Sequence, residues 1–208
     1  MSDEVEPIAW LPGYPAELTE QAFLDDGTPV VFRAIHPDDA ARVERLFHRL
    51  SPQARYMRFF TSIARPSASM IRYLVTLDYV DRLAIVAEIR GEIVGVARYD
   101  RLAAVAPPAV PMDPAEAEAA VVVEDAWQGR GIATRLLWRL SSAAVNRGVH
   151  TFTATILAQN RAMMRLLTVL GENMSTELSG GEYTVKLRLA GAPPPRAEQD
   201  APGDSAHP

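Results

Sequence analysis

VVVEDAWQGRGIAT, residues 121–134, falls into three parts. Val121, Val122 and Val123 close a run of small apolar residues from Ala119, as a central strand covered on both faces requires. A turn follows. From Ile132, apolar residues recur at helical spacing through Leu136, Leu137 and Leu140. Gly129 and Gly131 stand where the backbone must bend sharply or be approached closely. The first N–H groups of a helix lack internal partners and carry partial positive charge. Gln128, Gly129, Arg130, Gly131, Ile132, Ala133 and Thr134 therefore suit a pyrophosphate. The same glycines also serve a plain strand-to-helix connection, and the pattern alone does not choose. A P-loop is disfavoured because no Lys-Ser/Thr pair follows the second glycine. A dinucleotide fingerprint is disfavoured because Thr134 stands where a third glycine belongs.

Working outward, Asp25-Asp26-Gly27-Thr28 is a turn signal ahead of a strand over Pro29–Ile35. His36-Pro37-Asp38-Asp39 opens a helix with apolar positions Ala40, Val43, Leu46, Phe47 and Leu50. Short helices follow from Ser51-Pro52, carrying Tyr56, Met57, Phe59 and Phe60, and over Ser67–Leu77. Leu83–Ile89 and Glu92–Asp100 read as a hairpin turned at Gly91. Leu102–Pro114, rich in Ala and Pro, reads as a loop before the strand Glu116–Val123. Beyond the glycine turn come a helix to about Asn146, a strand Thr151–Leu157 and a helix Asn160–Leu170 closed by Gly171. A last strand pair, Met174–Leu178 and Tyr183–Leu189, turns at Gly180-Gly181. The fold class is α/β: a mixed sheet of six to seven strands with helices on both faces. Residues 1–20 read as an N-terminal extension, 21–190 as one domain, and the Pro-rich 191–208 as a disordered tail.

Composition narrows the function. The 208 residues carry 21 basic and 26 acidic side chains, a net charge of −5, and the arginines are scattered. Nucleic acid is thus not the expected partner. No apolar run reaches the length of a membrane span, and the acidic start MSDEVEP lacks the order of a secretory signal. There is no cysteine, which rules out disulfides, thiolate metal sites and a cysteine nucleophile, and fits a cytoplasmic protein. His48 and His150 are isolated, so no metal is expected.

The order strand, Gln128-x-x-Gly131-x-Ala133, helix, strand, Asn160, helix resembles the GNAT superfamily of N-acetyltransferases over about residues 28–189. FLDDGTPVVFRAIHPDD (23–39), LSPQARYMRFF (50–60) and EAEAAVVVEDAWQGRGIATRLL (116–137) are similar to the GNAT domain of bacterial Pat-type protein lysine acetyltransferases. Those domains are often fused to a regulatory module, for which the roughly 25 residues ahead of the first strand leave no room. The resemblance implies the GNAT fold and acetyl-CoA as co-substrate. It places the pantetheine along Val121, Val122 and Val123, the pyrophosphate on Gln128–Thr134, and a further contact at Asn160, which also suits a helix N-cap.

It further implies direct transfer of the acetyl group to an amine. A lysine amine is mostly protonated at neutral pH and needs a base. Glu118, ten residues before Gln128, matches the Pat-type catalytic glutamate, with Glu116 as backup. The competing reading of Glu118 is an edge carboxylate paired with an arginine. Period-two alternation puts Glu116, Glu118, Val122 and Glu124 on one face unless a bulge intervenes. Where many relatives carry a tyrosine acid this chain has Leu167, and where some carry a phosphate-binding arginine it has Val169. Arg130, Arg161 or Arg165 would then supply phosphate contacts. The expected acceptor is a protein lysine, acyl-CoA synthetases among the targets, with the enzyme a monomer or homodimer. A small-amine acetyltransferase and a non-catalytic acetyl-CoA-binding domain are the alternatives.

Overall fold

A computed structural model describes residues 12–59, 65–105, 113–170 and 173–189. Eight strands form one sheet in the order β1-β2-β3-β4-β5-β6-β8-β7. They are β1 (Glu20–Phe23), β2 (Pro29–Ala34), β3 (Arg82–Ile89), β4 (Glu92–Arg101), β5 (Glu116–Val123), β6 (Thr151–Leu157), β7 (Asn173–Ser179) and β8 (Glu182–Arg188). The helices are α1 (Ala40–Arg49), α2 (Pro52–Phe59), α3 (Ala68–Val75), α4 (Leu102–Val105), α5 (Ile132–Val145) and α6 (Arg161–Leu170). The expected six to seven strands become eight because Glu20–Phe23 pairs antiparallel with Pro29–Phe32 across the Asp26-Gly27 turn. Leu102–Val105, expected as loop, forms a single helical turn. The rest of that expected loop through Met112, together with Phe60, Gly171 and the tail, lies outside the described residues.

Two clusters of apolar side chains sandwich the sheet. One sets Val121, Val123, Phe152 and Val185 against Ile132, Leu136, Leu137 and Leu140 of α5 and Leu167 and Leu170 of α6. The other sets Ile35, Val86 and Ile93 against Val43, Leu46 and Leu50 of α1 and Ile71 and Val75 of α3. The α1 entry follows its sequence: His36 Nδ1 accepts from Asp38 N at 3.2 Å, and the Asp39 carboxylate accepts from His36 N at 2.8 Å. Residues ahead of β1 also join the fold. The Tyr14 hydroxyl donates to the Ala34 carbonyl at 2.9 Å, and Tyr14 and Leu18 pack against the larger cluster.

All neighbouring strands run antiparallel except β5 and β6. That parallel pairing covers only Glu116↔Thr151, Ala117↔Phe152 and Glu118↔Thr153. Beyond Glu118 the two strands part, while β5 stays paired with β4 as far as Val123. Main-chain groups of residues 119–123 on the β6 side are thus left without a strand partner. Main-chain groups so exposed need another partner, and a cleft opens there.

Candidate active site

A cleft of ≈ 700 Å³ opens along the free flank of β5. Val121, Val122 and Val123 form one wall, Gln128, Gly129 and Gly131–Thr134 the far end, and Asn160 with the start of α6 the opposite wall. Gln53, Ala54, Met57 and Arg58 of α2 cover it. The size suits an extended ligand. Where β5 and β6 begin to part, the cleft meets a smaller, largely apolar pocket of ≈ 70 Å³ lined by Glu118, Ala119, Ala120 and Leu167 among others. Met57, Arg58, Val121, Asn160 and Met163 line both.

The glycine turn has the backbone geometry that an anion cradle needs. Gly129 and Gly131 take φ of +75° and +77°, a left-handed backbone that other residues adopt only with strain. Gly131 caps α5 without any side chain. Among the described residues, none of the main-chain N–H groups of Gly129 through Thr134 has a main-chain acceptor. The first N–H to be taken up is that of Arg135, by the Gly131 carbonyl at 3.0 Å. A run of free amides at the positive end of a helix matches a pyrophosphate in charge and in hydrogen-bonding sense.

Not every residue of the motif faces the cleft. The Gln128 side chain donates to the Val123 carbonyl at 3.0 Å, so it braces the turn. Arg130 stands outside: its guanidinium pairs with Asp26 at 2.7 Å and lies 4.8 Å from the centre of the Trp127 ring. Of the three arginines expected near phosphates, Arg161 lines the cleft, whereas Arg130 and Arg165 do not. Asn160 does two things at once. Its Oδ1 accepts from Met163 N at 3.1 Å, capping α6, while its amide nitrogen remains free to donate into the cleft that it lines.

The two candidate bases separate cleanly. Glu116 is paired with Lys186 of β8 at 2.8 Å. Glu118 is exposed, lines the inner pocket, and makes no hydrogen bond or ion pair among the described residues. β5 is a central strand without a bulge in its pairing to β4, so the period-two reading of its faces holds and Glu118 is not an edge carboxylate. Its neighbour across β4, Asp100, is instead neutralised by Arg98 and Arg82, each at 2.8 Å. Burial acts against the Asp100 charge, but those arginines outweigh it and hold the carboxyl below its usual range.

Several residues of the site were not proposed as such from sequence, Met57 and Arg58 of α2 among them. Arg58 is half-buried, lies 5.0 Å from the Phe59 ring centre, and has no ion pair among the described residues. Burial, reinforced by Arg98, lowers its pKa to about 10, which leaves it protonated at neutral pH. The signal available was an arginine inside an aromatic helical stretch, RYMRFF, where a solvated charge is not expected. Phe59 packs on Phe47 with ring centres 5.6 Å apart, and Tyr56 is exposed.

The family model for the acetyltransferase (GNAT) family matches residues 44–171. An acetyltransferase of Pseudomonas aeruginosa is 32% identical over 152 residues, covering 71% of this chain and 77% of that protein. The acetyltransferase Pat of Mycolicibacterium smegmatis is 31% identical over 141 residues, or 67% of this chain; the match spans only 40% of Pat. Among solved structures, the GNAT domain of Streptomyces lividans Pat superposes with a TM-score of 0.76 at 34% identity, covering 85% of this chain and 99% of that one. The chain belongs to the GNAT family of acetyltransferases, and is an N-acetyltransferase that uses acetyl-CoA.

Proposed function

We propose that the protein acetylates lysine side chains of other proteins by direct transfer, with Glu118 as general base. The observation that carries the reading is the unpaired Glu118 carboxylate beside the point where β5 leaves β6. Similarity to the GNAT domain of Streptomyces lividans Pat supports a protein acceptor. In this reading the pantetheine extends along the unpaired flank of Val121, Val122 and Val123 as an added strand would. The amides of Gly129–Thr134 hold the pyrophosphate, and Asn160 donates from the other wall. The thioester carbon then lies at the mouth of the inner pocket, beside Glu118.

Glu118 takes a proton from the acceptor ammonium, and the freed nitrogen attacks the thioester carbonyl. An unpaired β5 amide holds the oxyanion. The C–S bond then breaks, its electron pair leaves on sulfur, and the second nitrogen proton passes to solvent. Glu118→Gln keeps size and hydrogen-bonding atoms but cannot accept the proton. It should lower turnover about tenfold or more with acetyl-CoA affinity unchanged; unchanged turnover would remove Glu118 from the role. The acceptor is tested by incubating the protein with labelled acetyl-CoA and a cell lysate, then mapping labelled residues. Label on protein lysines supports the reading, and label confined to small molecules refutes it.

A further inference from the structure

Breaking the C–S bond releases an alkyl thiolate, whose charge the site must meet. Among the described residues, no tyrosine, histidine or lysine lines the cleft or the inner pocket. Leu167, in the wall of the inner pocket, contributes only methyl groups. A thiol of ordinary acidity, pKa about 8.5, leaves poorly from an apolar site unless its charge is met there.

One charged side chain lines the junction of the two cavities. The five residues common to both are Met57, Arg58, Val121, Asn160 and Met163, and of these only Arg58 is ionic. Arg161 lines the outer cleft alone, on the α6 wall. Asp125, also in the outer cleft, is taken up by Ser51, whose amide and hydroxyl donate to it at 2.9 and 2.7 Å. The same two bonds tie the start of α2 to the turn after β5, and so set the helix that carries Arg58 over the cleft. A half-buried guanidinium with no ion pair among the described residues is costly in the free protein, and a ligand that becomes negative during reaction compensates it.

We propose that Arg58 stabilises the departing thiolate as a fixed positive charge, standing in for a proton donor. The inference rests on the reading of the cleft as the acetyl-CoA site, but not on the identity of the acceptor. The guanidinium keeps its proton throughout. The sulfur leaves with the electron pair of the C–S bond, rests against Arg58, and takes its proton from water afterwards. The facing groups set the balance: Glu118 on β5 and Asp100 on β4 favour the charged guanidinium, and Arg98 on β4 opposes it. Asp100 is shared between Arg82 and Arg98 at 2.8 Å each, so Arg58, Arg82 and Arg98 against Asp100 and Glu118 leave one positive charge in excess even with Glu118 ionised.

Free CoA itself is the probe. Its thiol is titrated on the wild-type protein by the ultraviolet absorbance of the thiolate, and CoA affinity is measured separately at a pH where the thiol is protonated. The bound thiol should ionise at least about one pH unit below free CoA, a tenfold gain in thiolate stability. Arg58→Met should return it to the free value or above while binding thiol-form CoA within about twofold of wild type. Arg58→Lys, keeping the charge without the fork, should fall between them. In turnover, Arg58→Met should lower kcat about tenfold or more at nearly constant KM for acetyl-CoA. A bound thiol on the wild-type protein that ionises at or above the free value overturns the proposal without any variant. Equal values for wild type and Arg58→Met overturn it too. Failure of the wild-type protein to bind CoA would instead overturn the donor-site reading.

Discussion

At the residue scale the site depends on where backbone groups are left free, and Gly131 decides that for the end proposed to take the pyrophosphate. A Cβ placed there meets nothing within 4 Å, so bulk is not the obstacle. The obstacle is φ of +77°, which costs an L-residue about 1–2 kcal/mol. Gly131→Ala can relieve that strain by rotating the peptide, which turns amides out of the cradle. CoA affinity should fall roughly five- to thirtyfold, as such a cost implies. The melting temperature should drop only about 2–8 °C. Equal affinities by calorimetry would show that the loop amides do not hold the ligand. The glycines were legible in the sequence because their need for positive φ is intrinsic to the residue. Arg58 was not, since its meaning comes from the partners it lacks, and lack of partners exists only in three dimensions. For Glu118, position in the chain gave the candidate, and the structure supplied what separates it from Glu116, a free carboxylate against one bound to Lys186.

At the element scale, the parting of β5 from β6 makes the cleft, and α5 must pack closely beneath β4 and β5 to hold them. Gly95 on β4 lies opposite Val123, and a Cβ there would stand 3.1 Å from Leu136 Cδ1, 3.1 Å from Val123 Cγ2 and 3.3 Å from the Val122 carbonyl. Both side chains are buried and unable to swing away. Gly95→Ala should therefore destabilise by about 1–3 kcal/mol through overpacking, read as a lower urea midpoint at constant m-value. CoA affinity should fall with it, because the strain falls on Val122 and Val123 in the cleft wall. A stability equal to wild type would mean that α5 can shift freely on the sheet. The strands and helices themselves were readable from period and turn signals. Their divergence was not, because the pairing of β5 with β6 stops after Glu118 while the apolar sequence runs on to Val123. The eighth strand was hidden by the mixed character of Glu20–Phe23, whose side chains are mostly exposed at the sheet edge. The placing of β8 inside β7 follows burial: Val185 and Leu187 are covered, while β7 is polar and exposed along most of its length.

At the scale of the whole molecule, a charge network away from the cleft ties β2 and the entry to α1, residues 33–42, to Glu88 on β3. Arg33 on β2 donates to Asp39 at 2.7 and 2.8 Å and to Glu88 on β3 at 2.6 Å. Asp39 also accepts from Arg42 at 2.9 Å and from the His36 amide at 2.8 Å. Burial alone would raise the Asp39 pKa, but the Arg33 hydrogen bonds and charge, with those of His36 and Arg42, outweigh it and hold the carboxyl below its usual range. Removing the charge leaves Arg33 short of a partner in a buried position, so Asp39→Asn should cost about 3 kcal/mol at neutral pH. The sign of the pH dependence follows from the lowered folded-state pKa. The stabilisation is complete above the unfolded value of about 3.9 and is lost as pH falls through the folded value. Urea unfolding of wild type and Asp39→Asn should therefore differ by a constant amount from pH 7 to 5, with the two curves converging below about pH 4. The specific activity of the folded fraction should stay unchanged, because no member of the network lines the cleft or its inner pocket. A gap that stays constant down to pH 2 would show that Asp39 acts through shape, as the helix-entry cap of α1, and that its ionisation contributes nothing to stability.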